Sequence, residues 1–291
     1  MSDRNIQISF KVGQNRQLKV LNNLIEEGFE PDVDGKPVLV WLAEKGHTEL
    51  VKKLKAIRKS KGLYSHLTFS NKTLGKALYM ASKNGHTQIV QILIEDCVTI
   101  ISNANPVNTN YFYDFNDYNE IIEAFLISIK QGHTEIAKLY IKAGIDPSVK
   151  NNSALYFASQ NGHTQIVEML IKPILKKYAD RKKQVANNKR RYILDKDEKE
   201  IFDEIFYTAV NNGHTEILKL LLELQKNLYE DYKALSLNDL LVKLATIKGH
   251  TQMVKELVNV GINVKSHYIQ EALKIAAKYK HSEIERILKD A

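Results

Sequence analysis

Apolar residues along the chain recur in blocks that have the spacing of an amphipathic helix. Within a block they fall at positions i, i+1, i+4 and i+5, which places them in one stripe on the helix surface. One block contributes Ile166, Val167, Leu170 and Ile171. A shorter apolar pattern that ends in a small residue precedes each block, as ALYFASQN does before QIVEMLIK. This alternation of short and long patterns predicts consecutive pairs of helices.

Gly-His-Thr tripeptides separate the two apolar patterns of a pair. They begin at residues 46, 85, 132, 162, 213 and 249. A degenerate copy, Lys280-His281-Ser282, separates the last two apolar patterns in the same way. The glycine suits a left-handed residue that closes the first helix, and the threonine is a candidate N-cap of the second. Copies 30 to 51 residues apart are typical of stacked helical repeats. The pattern therefore predicts an all-α solenoid of about seven helix-turn-helix units.

These units resemble the ankyrin repeat. SALYFASQNGHTQIVEMLI is similar to the family pattern T-P-L-H-x-A-A-x-x-G-H-x-E-V-V-K-L-L-L, and AGIDPSVKNN (143–152) is similar to the finger that joins two units. The T-P-L-H tetrapeptide is missing, since residues 153–156 read Ser-Ala-Leu-Tyr, so the hydrogen bonds that it makes between neighbouring turns in the family are in question. The resemblance implies an N-terminal capping half-repeat and finger at 1–35, repeats at 36–266 with insertions near 56–72, 97–118 and 172–203, and a C-terminal capping repeat at 267–291.

Protein–protein recognition on a concave surface is the function that this resemblance implies. In the family, partner contacts come from the finger tips and from the two variable residues before Gly-His. Carried over position by position, these residues are Lys83, Asn84, Lys130, Gln131, Gln160, Asn161, Asn211 and Asn212, with Asp146, Ser148 and Lys150 in the finger. They are polar and rich in amides, so we expect a partner protein with a polar or acidic surface and no small-molecule substrate.

The repeated histidines could also be read as a catalytic or metal site. Seven of the nine histidines belong to the repeat: His47, His86, His133, His163, His214, His250 and His281. Zinc ligands lie about 2 Å from one ion, whereas neighbouring helices lie about 10 Å apart, so equivalent histidines form a ladder and not a cluster. Cys97, the single cysteine, has no local catalytic signature and is interpreted as a buried residue. We therefore predict no catalytic residue, no metal and no cofactor.

The formal net charge of +8 is concentrated in residues 172–191. This segment has nine basic residues and one acidic residue, which leaves the remainder of the chain neutral. Its apolar positions predict a helix that continues past Pro173, with a kink there. Its basic residues include Lys176, Lys177, Arg181, Lys182, Lys183, Lys189, Arg190 and Arg191. They form either a solvated face or a site for an acidic partner, a nuclear-import receptor, lipid headgroups or nucleic acid; no other segment supports a nucleic-acid surface.

Five aromatic residues lie within residues 111–118, on a predicted loop. Tyr111, Phe112 and Tyr113 come first, followed by Phe115 and Tyr118. Such a cluster indicates either a binding patch, because aromatic side chains anchor interfaces, or rings that pack on adjacent helices and hold the loop in place. An enzyme with a site built from the insertions is the alternative of a different class.

Several features set the expected cellular context. The first residues lack the apolar core of a signal peptide, and no run of apolar residues reaches the length of a transmembrane helix. A single cysteine fits a reducing compartment, so we expect a cytoplasmic protein. We also expect a monomer. Stand-alone ankyrin chains rich in Lys, Asn and Ile resemble those of large DNA viruses and of intracellular bacteria. We hypothesise an effector that a bacterium delivers into a host cell without a cleaved signal peptide.

Overall fold

The computed structural model of the 291-residue chain describes residues 7–8, 14–60, 69–98, 101, 115–187, 196–228 and 235–291. Fifteen α-helices and three short strands lie in these ranges. The chain divides into two compact units, Met1–Asp146 and Pro147–Ala291. The predicted all-α repeat architecture is confirmed, because the helices of each unit follow one another in pairs.

The first unit contains seven helices among its described residues. Strand β1 is Gln7–Ile8, β2 is Asp32–Val33 and β3 is Lys36–Pro37. The helices are α1 (Gln14–Glu26), α2 (Val38–Lys45), α3 (Thr48–Ser60), α4 (Asn71–Lys83), α5 (Thr87–Ile94), α6 (Phe115–Lys130) and α7 (Thr134–Lys142), and a 3-10 turn spans Glu95–Cys97. The first helices α2, α4 and α6 pack side by side, and the second helices α1, α3, α5 and α7 form an adjoining layer.

A small hairpin forms the finger between α1 and α2. Strands β2 and β3 pair antiparallel, with Asp32 opposite Pro37, and β1 pairs parallel with β2. Asp34 and Gly35 make the turn with φ angles of 50° and 73°, which suits the Asp-Gly sequence. The indole Nε1–H of Trp41 donates to Asp34 Oδ2 at 3.1 Å, so the finger is tied to α2. The Trp41 ring also stacks on His47, with 5.2 Å between ring centroids.

The second unit contains eight helices among its described residues. They are α8 (Val149–Gln160), α9 (Thr164–Asn187), α10 (Lys196–Asn211), α11 (Thr215–Leu228), α12 (Leu235–Lys248), α13 (Thr251–Val260), α14 (His267–Lys278) and α15 (Ser282–Asp290). The first helices α8, α10, α12 and α14 pack in sequence order, and so do the second helices α9, α11, α13 and α15. Each unit is therefore a two-layer stack.

The apolar stripes that define the sequence pattern form the cores of the two units. Ile166, Val167 and Leu170 are fully buried, and Ile171 is 8% exposed. Cys97 is also fully buried, as predicted, and burial together with nearby Asp96 raises the pKa of its thiol to about 12. These stripes can be buried only between neighbouring repeats, because a single pair of helices has no other surface to cover them.

The junction between the two helices of a repeat differs from the prediction in one respect. The glycines adopt left-handed φ angles as predicted, 79° at Gly46 and 77° at Gly85. The threonine is not the N-cap. In α5 the cap position falls on His86, which makes no side-chain capping bond, and Thr87 is the first helical residue. The histidine side chain is used elsewhere, and this explains why it does not cap its own helix.

Candidate functional site

At three junctions the histidine reaches back to the repeat before it. His86 Nε2 lies 3.1 Å from the carbonyl oxygen of Glu44, and His133 Nε2 lies 3.3 Å from that of Lys83. In the second unit His214 Nε2 lies 3.2 Å from the carbonyl oxygen of Gln160. A carbonyl oxygen only accepts, so Nε2–H is the donor in each pair. The assignment of these histidines to the scaffold is confirmed.

The same ring lies against the glycine of the preceding junction. A Cβ atom at Gly46 would lie 2.7 Å from Cε1 of His86, and one at Gly162 would lie 2.7 Å from Cε1 of His214. Real Cβ atoms do not approach other heavy atoms this closely. The glycine is therefore required by its backbone conformation and also by the ring of the next repeat.

Two asparagines predicted to contact a partner hold neighbouring repeats together. The Nδ2 atom of Asn84 donates to the carbonyl oxygen of Glu44 at 3.1 Å, and that of Asn212 donates to Gln160 at 3.0 Å. Each acceptor is the oxygen that also binds the junction histidine. Asn161 instead donates to the carbonyl oxygen of Phe157 in its own helix, at 2.8 Å. The amide groups of these three residues are engaged within the fold.

The remaining predicted junction residues present side chains at the surface. Lys83, Lys130 and Gln131 are exposed, and Gln160 and Asn211 are partly exposed. Because His133 binds the carbonyl of Lys83, the junction after α4 lies beside the junction after α6. The structure therefore brings Lys83 and the Lys130–Gln131 pair into one row. In the second unit the Gln160–Asn161 and Asn211–Asn212 pairs are neighbours for the same reason.

The finger residues predicted to bind a partner have an unusual backbone. Lys150, Asn151 and Asn152 take successive left-handed conformations, with φ angles of 48°, 54° and 60°. Asn152 is 2% exposed, and its Nδ2 donates to Tyr178 Oη at 3.4 Å. Ser148 Oγ accepts a hydrogen bond from the ammonium group of Lys177, whereas Lys150 is exposed. This turn points Lys150 outward and directs Asn152 inward. In the first unit, burial raises the pKa of the Tyr118 phenol, and the negative charge of nearby Asp146 raises it further.

An open groove of about 890 Å³ crosses the first helices of the first unit. We call it the inner groove. The finger, α2, α4 and α6 all contribute to its lining: Gly35, Lys36, Pro37, Val40, Lys72, Gly75, Lys76, Tyr79, Met80, Asn119, Glu120 and Glu123. Sequence reasoning missed this surface, because no motif marks the exposed side of the first helices. A glycine in the middle of α4, Gly75, was the one available signal.

The inner groove has an apolar floor and charged sides. Val40 and Gly75 are buried, and Tyr79 and Met80 are partly exposed along the floor. Lys72 and Lys76 are exposed on α4, and Glu123 is exposed on α6. A Cβ atom at Gly75 would lie 2.7 Å from Cβ of Glu120, so the glycine permits α4 and α6 to approach closely. A ligand in this groove would meet ammonium groups on α4 and a carboxylate on α6.

Some predicted residues lie outside the part of the chain that the structure describes. They are Tyr111, Phe112 and Tyr113 of the aromatic segment and Lys189, Arg190 and Arg191 of the basic segment. The other basic residues belong to α9, which continues through Pro173 as one helix: Lys176, Lys177, Arg181, Lys182 and Lys183.

Among the described residues, no three His, Cys, Asp or Glu side chains are arranged to hold a metal ion. No described helix has both the length and the apolar character needed to cross a membrane.

Comparison with known proteins identifies the repeat. A family model described as ankyrin repeats (3 copies) matches residues 10–110, 102–183 and 206–291. The chain belongs to the ankyrin-repeat family. It is also similar to the human ASB11 ankyrin repeat domain in a crystal structure, with 19% sequence identity, coverage of 73% of this chain and 82% of that chain, and a TM-score of 0.45. No curated protein matches the chain. Ankyrin repeats are generally protein–protein interaction modules, and the fold is typically a non-enzymatic scaffold.

Neighbouring ankyrin repeats of this chain are joined by several hydrogen bonds, although the T-P-L-H tetrapeptide is missing. The junction histidines and asparagines make the hydrogen bonds between repeats near the ends of the first helices. At the start of α12, Asp239 Oδ1 accepts from the backbone N–H of Asn263 at 2.9 Å, and Asn238 Nδ2 donates to the carbonyl of Gly261 at 3.5 Å. The ankyrin finger at 261–266 is thereby tied to the preceding first helix.

Proposed function

We propose that this ankyrin-repeat chain binds a partner protein through the inner groove and the exposed junction residues beside it. The observation that carries the proposal is the groove itself, an apolar floor bordered by charged side chains on packed helices. Protein interfaces commonly combine an apolar centre with a polar rim. Because the helices that line the groove are already held by core packing, little conformational entropy is lost when a partner binds.

The charges of the groove define the partner segment that would fit. An apolar side chain of the partner would pack on Tyr79 and Met80. Acidic groups of the same segment would face Lys72 and Lys76, while Glu123 favours a basic or amide group on the opposite side. The junction residues led us to expect a polar or acidic partner surface. That expectation therefore holds only for the side of the groove that carries Lys72 and Lys76.

The exposed junction residues extend this surface. Lys83 and Gln131 have exposed side chains and lie in one row. Asn84 and Asn212 are weaker candidates, because their amides already bind the preceding repeat. We therefore rank Lys83, Lys130 and Gln131 above the asparagines as partner contacts.

Affinity capture from a eukaryotic lysate tests the proposal. The full chain is compared with a Tyr79→Ala/Lys76→Glu variant and with a control variant, Lys59→Glu, which changes an exposed lysine on α3 outside the groove. We expect partners recovered by the wild-type chain and the control to be lost with the groove variant. Loss of a central aromatic contact commonly weakens binding by about tenfold or more. Identical recovery by all three proteins would overturn the groove assignment, provided that circular dichroism shows the groove variant to be folded.

We further propose that the chain is an effector that an intracellular bacterium delivers into the cytoplasm of its host. The support is its composition, since it is an ankyrin-repeat chain rich in Lys, Asn and Ile. The test repeats the capture with bacterial and eukaryotic lysates side by side. Groove-dependent partners should come from the eukaryotic lysate, and their recovery from the bacterial lysate alone would contradict an effector role.

A further inference from the structure

Helix α9 is longer than the second helix of any other repeat among the described residues. It has 24 residues, whereas α3, α5, α7, α11, α13 and α15 have 8 to 14. At 3.6 residues per turn, α9 has about three to four additional turns. The neighbouring second helix, α11, has only 14 residues.

The orientation of these additional turns about the helix axis is fixed by packing. Ile174 is fully buried and Tyr178 is 3% exposed. The Tyr178 ring packs edge-on against Phe202 of α10, with 5.9 Å between ring centroids, and its hydroxyl accepts from Asn152 of α8. Helix α9 therefore cannot turn its other side toward the repeats without losing these contacts.

Lysine side chains occupy the opposite side of α9. Residues 172, 176, 179 and 183 are spaced by four, three and four positions, so they form one stripe. Lys172, Lys176, Ala179 and Lys183 are all exposed, and we call them the α9 stripe. At 1.5 Å per residue the stripe is about 16 Å long. Arg181 is exposed on the side of α9 that carries Tyr178, with its guanidinium carbon 5.8 Å from the Tyr178 ring centroid, and Asp180 is the single acidic residue between 172 and 183.

The composition of the α9 stripe indicates which polyanion it would bind. It has no aromatic or large apolar side chain to anchor a protein partner, and no amide or arginine to read base edges. What it offers is a row of three exposed lysines on a helix whose orientation is fixed by packing. Such a row is complementary to a flat anionic surface.

We propose that the α9 stripe docks on membranes rich in anionic phospholipid headgroups. Each lysine near such a surface strengthens binding by about fivefold, so the three lysines together contribute on the order of 100-fold. The interaction is reversible, because one basic cluster without a lipid anchor gives weak attachment. It is also salt-sensitive, because these lysines are exposed and salt screens exposed charges. This contact is independent of the inner groove, which belongs to the first unit.

Vesicle co-sedimentation with the full chain tests the proposal. Vesicles of phosphatidylcholine with phosphatidylserine are compared with vesicles of phosphatidylcholine alone, at about 0.1 M and about 1 M ionic strength. The test variant is Lys172→Glu/Lys176→Glu/Lys183→Glu. A matched variant, Lys248→Glu/Lys265→Glu/Lys274→Glu, has the same net charge and changes three exposed lysines elsewhere in the second unit. A third variant carries glutamine at the three stripe positions, so that loss of charge is tested without reversal.

We expect the wild-type and matched proteins to bind phosphatidylserine vesicles at low salt, and both stripe variants to lose at least most of this binding. Equal binding by the matched and stripe variants would overturn the proposal, and so would the absence of wild-type binding. Soluble glycerophosphoserine distinguishes the two sources of phosphate: inhibition at concentrations comparable to the vesicle lipid would show a site for free headgroups and not a surface. Stripe-dependent binding to duplex RNA without vesicle binding would assign the stripe to nucleic acid instead.

Discussion

His214 and Gln160 are joined by a hydrogen bond that spans two neighbouring repeats. The ring Nε2 of His214 lies 3.2 Å from the carbonyl oxygen of Gln160, and Asn212 donates to the same oxygen. The backbone of Gln160 therefore serves repeat stacking. Its partly exposed side chain, whose Nε2 lies 3.5 Å from Tyr156 Oη, is the part of the residue predicted to contact a partner.

Substitution of His214 by alanine is expected to destabilise the second unit. The change removes a hydrogen bond to Gln160 and the ring that covers Gly162, and we expect a loss of about 2 kcal/mol in the free energy of unfolding. Urea unfolding monitored by circular dichroism measures the loss. Gln160→Ala is the control, because it removes the side chain and keeps the carbonyl, so a change within about 0.5 kcal/mol is expected. An equal loss in both variants would contradict the role of the carbonyl.

Gly75→Ala is expected to destabilise the first unit, although alanine normally strengthens a helix by about 1 kcal/mol. The new Cβ would lie 2.7 Å from Cβ of Glu120, so α4 and α6 must move apart. Overpacking of this kind costs about 1–3 kcal/mol. Thermal unfolding measures the effect, with Lys76→Ala on the exposed side of α4 as the control. A rise in melting temperature for Gly75→Ala would show that the added methyl group fits between α4 and α6 and would contradict this prediction.

The stability of the first unit is expected to fall at mildly acidic pH because of His47. Desolvation lowers the pKa of His47 from its ordinary value of 6.5, and the nearby His86 and Lys45 lower it further. The folded state thus favours the neutral ring. Its contribution is complete above pH 6.5 and is lost as pH falls from 6.5 through the lower folded-state pKa. Unfolding free energies at about pH 7.5 and about pH 5 should differ more for the wild type than for His47→Gln. Equal pH dependence would refute this prediction.

Cys97 is expected to resist alkylation in the folded protein. Burial and Asp96 raise the pKa of its thiol to about 12, so at neutral pH almost no thiolate is present, and the side chain is also inaccessible. Mass spectrometry after iodoacetamide treatment should show labelling in denaturant and almost none in buffer. Rapid labelling in buffer would show that this part of the first unit opens readily.

Much of the fold could be predicted from the sequence, because its main determinants are local. The stripe around Ile166 and Leu170 has helical spacing, and the junction glycines at 46 and 85 occupy a conformation that glycine favours. The scaffold role of the histidines followed from their recurrence once in each repeat. These arguments need only a few neighbouring residues and the distance between repeats.

The features that escaped prediction depend on contacts between repeats. Thr87 was a reasonable N-cap by composition, but the position falls on His86, whose ring is held by Glu44 in the previous repeat. The Asn84 side chain, which was predicted to contact a partner, likewise donates a hydrogen bond to Glu44 of the previous repeat. The inner groove is formed by α2, α4 and α6 together. No single segment contains the information that places these residues side by side.

The contact of Trp41 with Asp34 and His47 has a practical consequence for spectroscopy. Trp41 is the only tryptophan of the chain, and it lies next to Val40 of the inner groove. Its fluorescence therefore originates entirely from the first unit, at the base of the finger. Emission can monitor ligand arrival, proton uptake by the stacked imidazole and unfolding of this unit, while circular dichroism reports on the helices of both units. The protein thus has its single tryptophan beside the groove where recognition is proposed.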